Sequence, residues 1–448
     1  MDRVGGEQTG QTSSIKQVAA ASFIGTTIEW YDFFLYGTAA ALVFGQLFFP
    51  YADPLIGTLS SFATFAVAFI ARPFGGALFG HYGDRMGRKT MLVITLLMMG
   101  IGTFLIGCLP TFESVGILAP ILLVVLRTIQ GIALGGEWGG AVLMAVEHAT
   151  PGRRGFYGSW PQIGAPAGLF LGTLVFEVFA SLPQEQFLAW GWRVPFLLSI
   201  VLVGVGLFIR LRILETPAFT QMKESQTEAQ RPLLDVIRNQ PKTIVLATGM
   251  RLSENVSFYV VTVFALSFGT QQLGIDRTTM LTGILISAAL GFLAMPAFGA
   301  LSDKIGRRPV YLGGAVLSAL LAFPFFWALE TKMPILIWIA FVVIMNTAHD
   351  AQYGVQGSYL AELFGTRVRY SGASLGSQLG GVFGGGFAPL IATALLAAGG
   401  GSPIYVAAYL TGMCLLTVLA TYLAPETYQS DIAEESPQET GVFAGGQS

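Results

Sequence analysis

Twelve apolar runs long enough to cross a bilayer divide this chain, and no other property narrows its possible folds as much. They cover residues 20–46, 57–80, 90–109, 117–146, 157–181, 192–211, 242–270, 279–301, 309–329, 334–360, 371–398 and 403–424. About 20 helical residues cross a hydrocarbon core about 30 Å thick. The backbone finds no water there, so each run is expected to be a helix. Of the 448 residues 53% are hydrophobic and 11% charged, against roughly 25% charged in soluble domains. An all-α membrane protein is expected, with no room for a large soluble domain. The titratable residues are spread over separate spans with no nucleophile and base at a motif spacing, which argues against an enzyme.

Positively charged loops stay in the cytoplasm. Residues 1–19, 80–89, 147–156, 210–242, 302–308 and 362–369 hold 18 of the 24 Lys and Arg, whereas the alternate connections hold only Arg277 and Lys332. Both termini are therefore expected inside, in a plasma membrane, the inner membrane of a bacterium. The first 19 residues lack the pattern of a removable signal peptide. Cys108 and Cys414 lie far apart in apolar stretches, and neither a disulfide framework nor a metal site is expected.

One long polar connection, 212–241, separates six spans from six. The expected organisation is 1–211 as an N-terminal bundle, 212–241 as a cytoplasmic loop, 242–424 as a C-terminal bundle and 425–448 as a polar tail. The halves are repeats: GHYGDRMGRK at 80–89 is echoed by GALSDKIGRR at 299–308, and Glu147 with Arg153 and Arg154 by Glu362 with Arg367 and Arg369.

These motifs resemble the major facilitator superfamily, whose hallmark loop between spans two and three is matched by Gly80, Asp84, Arg85, Gly87, Arg88 and Lys89, with Asp303 and Arg307 in the second copy. GTTIEWYDFFLYG at 25–37, RTIQGIALGGEWGGA at 127–141 and WGWRVPF at 190–196 look like its metabolite:proton symporter family. LVFGQLFFP, AHDAQYGVQ at 348–356 and RYSGASLG at 369–376 are most similar to shikimate-type transporters. The resemblance implies two pseudo-symmetric six-helix bundles and a gating role for Asp84 and Arg88. Asp84 can cap a neighbouring helix while the arginines pair with Glu147; a plain orientation signal accounts for these charges but not for the repeated glycines.

Gly131, Gly135 and Gly139 recur every fourth residue, as do Gly164, Gly168 and Gly172, and Gly376, Gly380 and Gly384. Such spacing lets helices pack closely, and in a rocking transporter it also provides sliding surfaces.

Ionised side chains inside a bilayer are costly and usually serve function. Glu29, Asp32, Glu137, Glu254 and Asp350 lie within spans, against Arg72, Arg127 and Arg251. A carboxyl without a partner takes up a proton, so proton coupling is expected, with Asp32 the preferred carrier and Glu137, Glu254 and Asp350 further candidates. The alternative is a watery cavity that solvates the excess carboxylates. Glu29 and Asp32 lie about 13 and 18 Å into span one, on one face. Arg127 and Arg251, one in each half at about 13 Å depth, suit a grip on an anion; Arg251 is also spaced to pair with Glu254. Glu29, Tyr31, Tyr36, Gln162, His349, Gln352 and Gln378 complete the expected substrate contacts, while Arg72 reads as a structural ion pair. Tyr157, Tyr353, Gln356 and Tyr370 are further polar candidates.

The expected protein is a monomeric symporter that imports a small carboxylate, shikimate or a similar hydroxylated acid, with protons and without a cofactor. No nucleotide-binding phosphate loop occurs, and no nucleic-acid partner is expected. Dicarboxylate or tricarboxylate symport stays open, as do a proline or betaine symporter, with Trp30 and Tyr31 holding the ammonium group, and a non-transporting sensor on the same fold.

Overall fold

The computed structural model describes residues 15–50, 53–86, 88–135, 142, 145–146, 149, 152–212, 237–364 and 369–429. Among them are twelve long helical segments and no strand. Span 1 is Ile15–Ala39, prolonged by a wide π-type turn at Ala40–Phe44; span 2 is Pro54–Met86, span 3 Arg88–Cys108 and span 4 Leu118–Gly135. Span 5 covers Arg154–Ala180, span 6 begins at Gln184 and ends at Arg212, and span 7 covers Pro241–Gln272. Spans 8, 9 and 10 are Arg277–Ile305, Arg307–Glu330 and Pro334–Leu363. Span 11 runs from Arg369 to Ala398 through a π-type stretch at Gly381–Gly386, and span 12 is Ile404–Leu423.

Ten of these are long and apolar enough to cross a membrane, and span 3 contributes a shorter apolar stretch, Val93–Cys108. Span 1 carries Glu29 and Asp32 in its middle. Wide turns interrupt spans 1, 6, 7, 10 and 11, and each loosens the hydrogen-bond ladder of its helix.

The repeat visible in the sequence is also a repeat of packing. Span 1 packs on span 5, 2 on 4 and 3 on 6; in the second half span 7 packs on 11, 8 on 10 and 9 on 12. The halves meet where span 5 lies along span 8 and span 2 along span 11. Glycines set the close pairs. A Cβ on Gly168 would fall 2.6 Å from the Tyr31 backbone nitrogen, and one on Gly380 would fall 2.5 Å from the Cβ of Arg251, so each repeat presses span 5 or 11 against span 1 or 7.

Hydrogen bonds join the halves at both ends. At the end carrying the basic connections, both Asp303 carboxylate oxygens accept from the start of span 5, from Gly155 N at 2.8 Å and Phe156 N at 2.9 Å. Arg307 donates to Asp303 Oδ1 at 2.7 Å and pairs with Glu362 Oε1 at 3.1 Å. In this second copy of the loop Asp303 caps span 5 and Arg307 pairs with Glu362. Gly87, Glu147 and the side chains of Gly80, Asp84, Arg85, Arg88 and Lys89 lie outside the described residues. Glu426, from the expected tail, accepts from the Arg307 and Arg308 backbone nitrogens at 2.9 and 3.0 Å, so the first tail residues cap span 9. At the opposite end Gln271 accepts from Thr58 and donates to the Ala41 carbonyl, Arg277 donates to Leu182 O and Gln184 Oε1, and Thr282 donates to Glu177.

Candidate functional site

Two adjoining cavities lie between the halves. The larger, with about 670 Å³ of empty space, is lined by Glu29, Trp30, Arg72, Gln162, Arg251, Tyr353 and Gln378 among others. The second, with about 450 Å³, is walled by Trp30, Phe258, Tyr259 and Tyr353 and by the polar groups Glu254, Asn255, Asn346, His349 and Asp350. Trp30 and Tyr353 line both.

Arg72 of span 2 and Arg251 of span 7 both line the larger chamber, one from each half. The Nε and Nη2 groups of Arg72 have no hydrogen-bond partner; the guanidinium lies 4.0 Å over the Phe69 ring and beside the Tyr259 hydroxyl. Arg251 donates to Gln356 Oε1 at 2.8 Å and lies 3.7 Å from Glu254 Oε2, so its spacing to Glu254 is realised as an ion pair bridged by Gln356, which donates to Glu254 at 3.1 Å.

A line of titratable groups continues from there into the smaller chamber. Asn255 donates to Glu254 at 2.9 Å, and His349 Nε2 lies 3.8 Å from Glu254 Oε1. The other ring nitrogen of His349 is 3.0 Å from Asp350 Oδ1, and Asp350 Oδ2 accepts from Asn346 at 2.8 Å. Glu254, His349 and Asp350 are thus within reach of one another although they come from two spans.

Four expected substrate contacts are placed elsewhere. Arg127 is fully buried inside the N-terminal half, donating to Gln130 Oε1 at 2.8 Å and stacked 3.8 Å from the Tyr36 ring centroid, so it faces neither cavity. Its neighbour on its own helix is Gln130, three residues on, a polar i, i+3 pair that the sequence reading passed over. Tyr31 donates to the Pro195 carbonyl at 2.7 Å, Tyr36 shares a hydrogen with Thr64 at 2.5 Å, and Gln352 donates to Ser318 at 3.1 Å. Each hydroxyl or amide is held within its own half by a buried partner. Glu29, Gln162, Arg251, His349 and Gln378 do line the cavities. Glu137 lies outside the described residues.

Asp32 is fully buried beside this N-terminal cluster, with neither carboxylate oxygen in a well-formed hydrogen bond. The groups that act on it are Thr103 and, through space, Arg127. Gln130 joins the cluster by donating to Thr103 at 2.7 Å. The mid-membrane charges therefore fall into two groups. One lines the cavities; the other, Asp32 with Arg127, is sealed behind the rings of Phe33, Tyr36 and Phe65.

Arg72 is the cavity residue that the sequence reading misassigned. The signal for it is the absence of any acidic residue three or four positions away on its helix, where residues 68, 69, 75 and 76 are Ala, Phe, Gly and Gly. Asn255, Tyr259 and Asn346 were not singled out because single polar residues within apolar spans do not reveal which way they point.

A buried, polar chamber between two pseudo-symmetric helical bundles, with hydrogen-bonded closures at both ends, defines a membrane carrier of small molecules rather than an enzyme. The chain belongs to the Major Facilitator Superfamily, whose model matches residues 22–385. It is 45% identical over 429 residues to the shikimate transporter of Escherichia coli K12, covering 95% of this chain and 98% of that protein. It is 36% identical over 368 residues to a glycine betaine/proline/ectoine/pipecolic acid transporter of Dickeya dadantii, covering 80% of this chain and 73% of the other. Among solved structures, a proton:xylose symporter superposes with a TM-score of 0.74 at 18% identity over 95% of this chain and 98% of the other. That likeness shows the fold; by the family match and the curated relatives this is a multi-pass membrane transporter of the superfamily.

Proposed function

We propose that this chain imports a small organic acid, shikimate or a similar hydroxylated carboxylate, together with protons. The observation that carries the reading is the pair Arg72 and Arg251, one from each half lining a shared chamber, where a carboxylate could accept from both guanidinium groups. Bidentate bonds from both would also tie the halves together around the substrate.

Charge balance supports proton coupling. Glu29, Glu254 and Asp350 line the two chambers together with Arg72, Arg251 and His349, so an added carboxylate makes the site more negative. A low-dielectric interior disfavours that excess, and protons entering with the substrate remove it. Asp32, buried with both oxygens unsatisfied, is the proposed proton carrier, and the Glu254–His349–Asp350 line is a second route. The proton is the coupling ion and no cofactor takes part.

The basic end, with both termini, is proposed to face the cytoplasm, by the excess of Lys and Arg in its loops. Transport then alternates between opening the Asp303–Arg307–Glu362 closure on that side and the Gln271 and Arg277 closures on the other, as residues 1–211 and 242–424 rock about the site. A monomer holds every group this cycle uses.

The deciding experiment is uptake into proteoliposomes with an inward proton gradient, over shikimate, quinate, protocatechuate, 2-oxoglutarate, citrate, proline and betaine. Accumulation of shikimate or quinate that collapses with the gradient is expected. Accumulation of none, with ligand binding retained, would instead mark a sensor. Betaine symport is the second reading, supported by Trp30 and Phe258 lining the smaller chamber together with Glu254 and Asp350, a composition that suits an ammonium group. Uptake of betaine in place of the acids would establish it.

A further inference from the structure

The smaller chamber has a polar wall that the carboxylate grip does not use. Asn346 and His349 both lie in the wide turn Ile344–His349 of span 10, and both line this chamber. Asn346 is 9% exposed and His349 1%. The Asn346 amide nitrogen is committed, donating to Ser287 O at 2.9 Å and to Asp350 Oδ2 at 2.8 Å, which fixes the amide with its oxygen left over. That oxygen, Oδ1, has no hydrogen-bond partner. His349 is fixed in the same way: one ring nitrogen is tied to Asp350, the ring is stacked on Tyr353, and Nε2 lies 3.8 Å from Glu254 Oε1, an ion-pair contact with room for a hydroxyl to complete the hydrogen bonding that Nε2 lacks.

Buried polar atoms without partners are destabilising in an apoprotein, and two of them in one wall of a cavity mark a place where a ligand supplies the missing bonds. An amide oxygen accepts only from a donor, and an imidazole nitrogen either donates or accepts. A hydroxyl serves both. A carboxylate does not, because it cannot donate to Asn346 Oδ1 and meets Glu254 and Asp350 in the same wall.

We propose that Asn346 and His349 form a hydroxyl-binding subsite that makes this carrier selective for hydroxylated ring acids, the carboxylate lying in the adjoining chamber with Arg72 and Arg251. Trp30 and Tyr353, which line both chambers, flank the ring between the two groups of contacts. The subsite rests on the carboxylate reading above and adds the basis of its selectivity.

The test compares binding of shikimate and of cyclohex-1-enecarboxylate, which keeps the ring and the carboxylate but has no hydroxyl, to the purified full-length protein by calorimetry. The wild-type protein is expected to prefer shikimate by roughly ten- to a hundredfold, because the bare acid leaves both atoms unpaired. Asn346→Ala and His349→Leu should each reduce that ratio towards one. Equal affinities in the wild-type protein overturn the subsite without needing either variant to fold, as does a parallel loss of both ligands in folded variants. If neither acid binds, the carboxylate reading fails and the subsite with it. If both bind equally and Arg72→Gln weakens both, only the subsite fails.

Discussion

Gly135→Ala tests whether the helix contacts that place Arg72 in the cavity are as tight as the geometry requires. A Cβ at Gly135 would lie 2.0 Å from the Arg72 carbonyl oxygen and 2.7 Å from Gly76 N. Ordinary contact begins at 3.4 Å. Spans 2 and 4 must then part by about 1.4 Å, or the carbonyl must tilt out of its helix, and overpacking of this kind costs about 1–3 kcal/mol. Alanine recovers up to about 1 kcal/mol of helix propensity, so a net loss remains. Because the clash is with the backbone of Arg72 itself, the displacement also shifts its guanidinium relative to Arg251. Thermal unfolding in detergent and the KM for shikimate uptake should therefore worsen together. Gly412→Ala is the control: its Cβ would meet nothing within 4 Å, so it should lower neither stability nor affinity. If Gly135→Ala matches Gly412→Ala in both assays, the reasoning that glycine spacing sets the position of Arg72 is wrong.

Arg72→Gln and Arg251→Gln should each raise the KM for a carboxylate substrate by roughly ten- to a hundredfold, the worth of one charged hydrogen bond, and an unchanged KM in both would refute the grip. Arg127→Gln, at a residue that lines neither cavity, should bind substrate with near-native affinity but accumulate it poorly; a large rise in Kd would return Arg127 to the binding site. Asp32→Asn should abolish concentrative uptake driven by a proton gradient while counterflow exchange persists, and undiminished accumulation would remove Asp32 from the coupling path. Asp303→Asn weakens the cap on Gly155 and Phe156 and the pairing with Arg307, so spin labels at Arg153 and Lys304 should report a larger separation. Arg277→Ala loosens the opposite end and should shift the population the other way, measured with labels at Glu185 and Asp276; no shift in either variant would show that these closures do not bias the two states.

The alternation of apolar runs and basic loops, the two copies of the hallmark loop and the glycine periods determined the twelve spans, the pairing of halves and the class of protein, because insertion into hydrocarbon depends on local composition and on main-chain bonding within each helix. The sequence also named most of the buried charges, since an ionisable residue inside an apolar run stands out wherever it points. Which of them share a chamber was decided only by tertiary structure. A span surrounded by apolar neighbours on all sides carries little amphipathic signal to fix its rotation, so depth along the helix was readable and direction was not. Hence Arg127 and Arg251, matched in depth, separate into a sealed cluster and an open wall, while Arg72 joins Arg251. Glu254, His349 and Asp350 meet across two spans for the same reason: their distances depend on how spans 7 and 10 are turned against each other, and that rotation is set by backbone contacts at glycines and by buried amides such as Gln356 and Asn346.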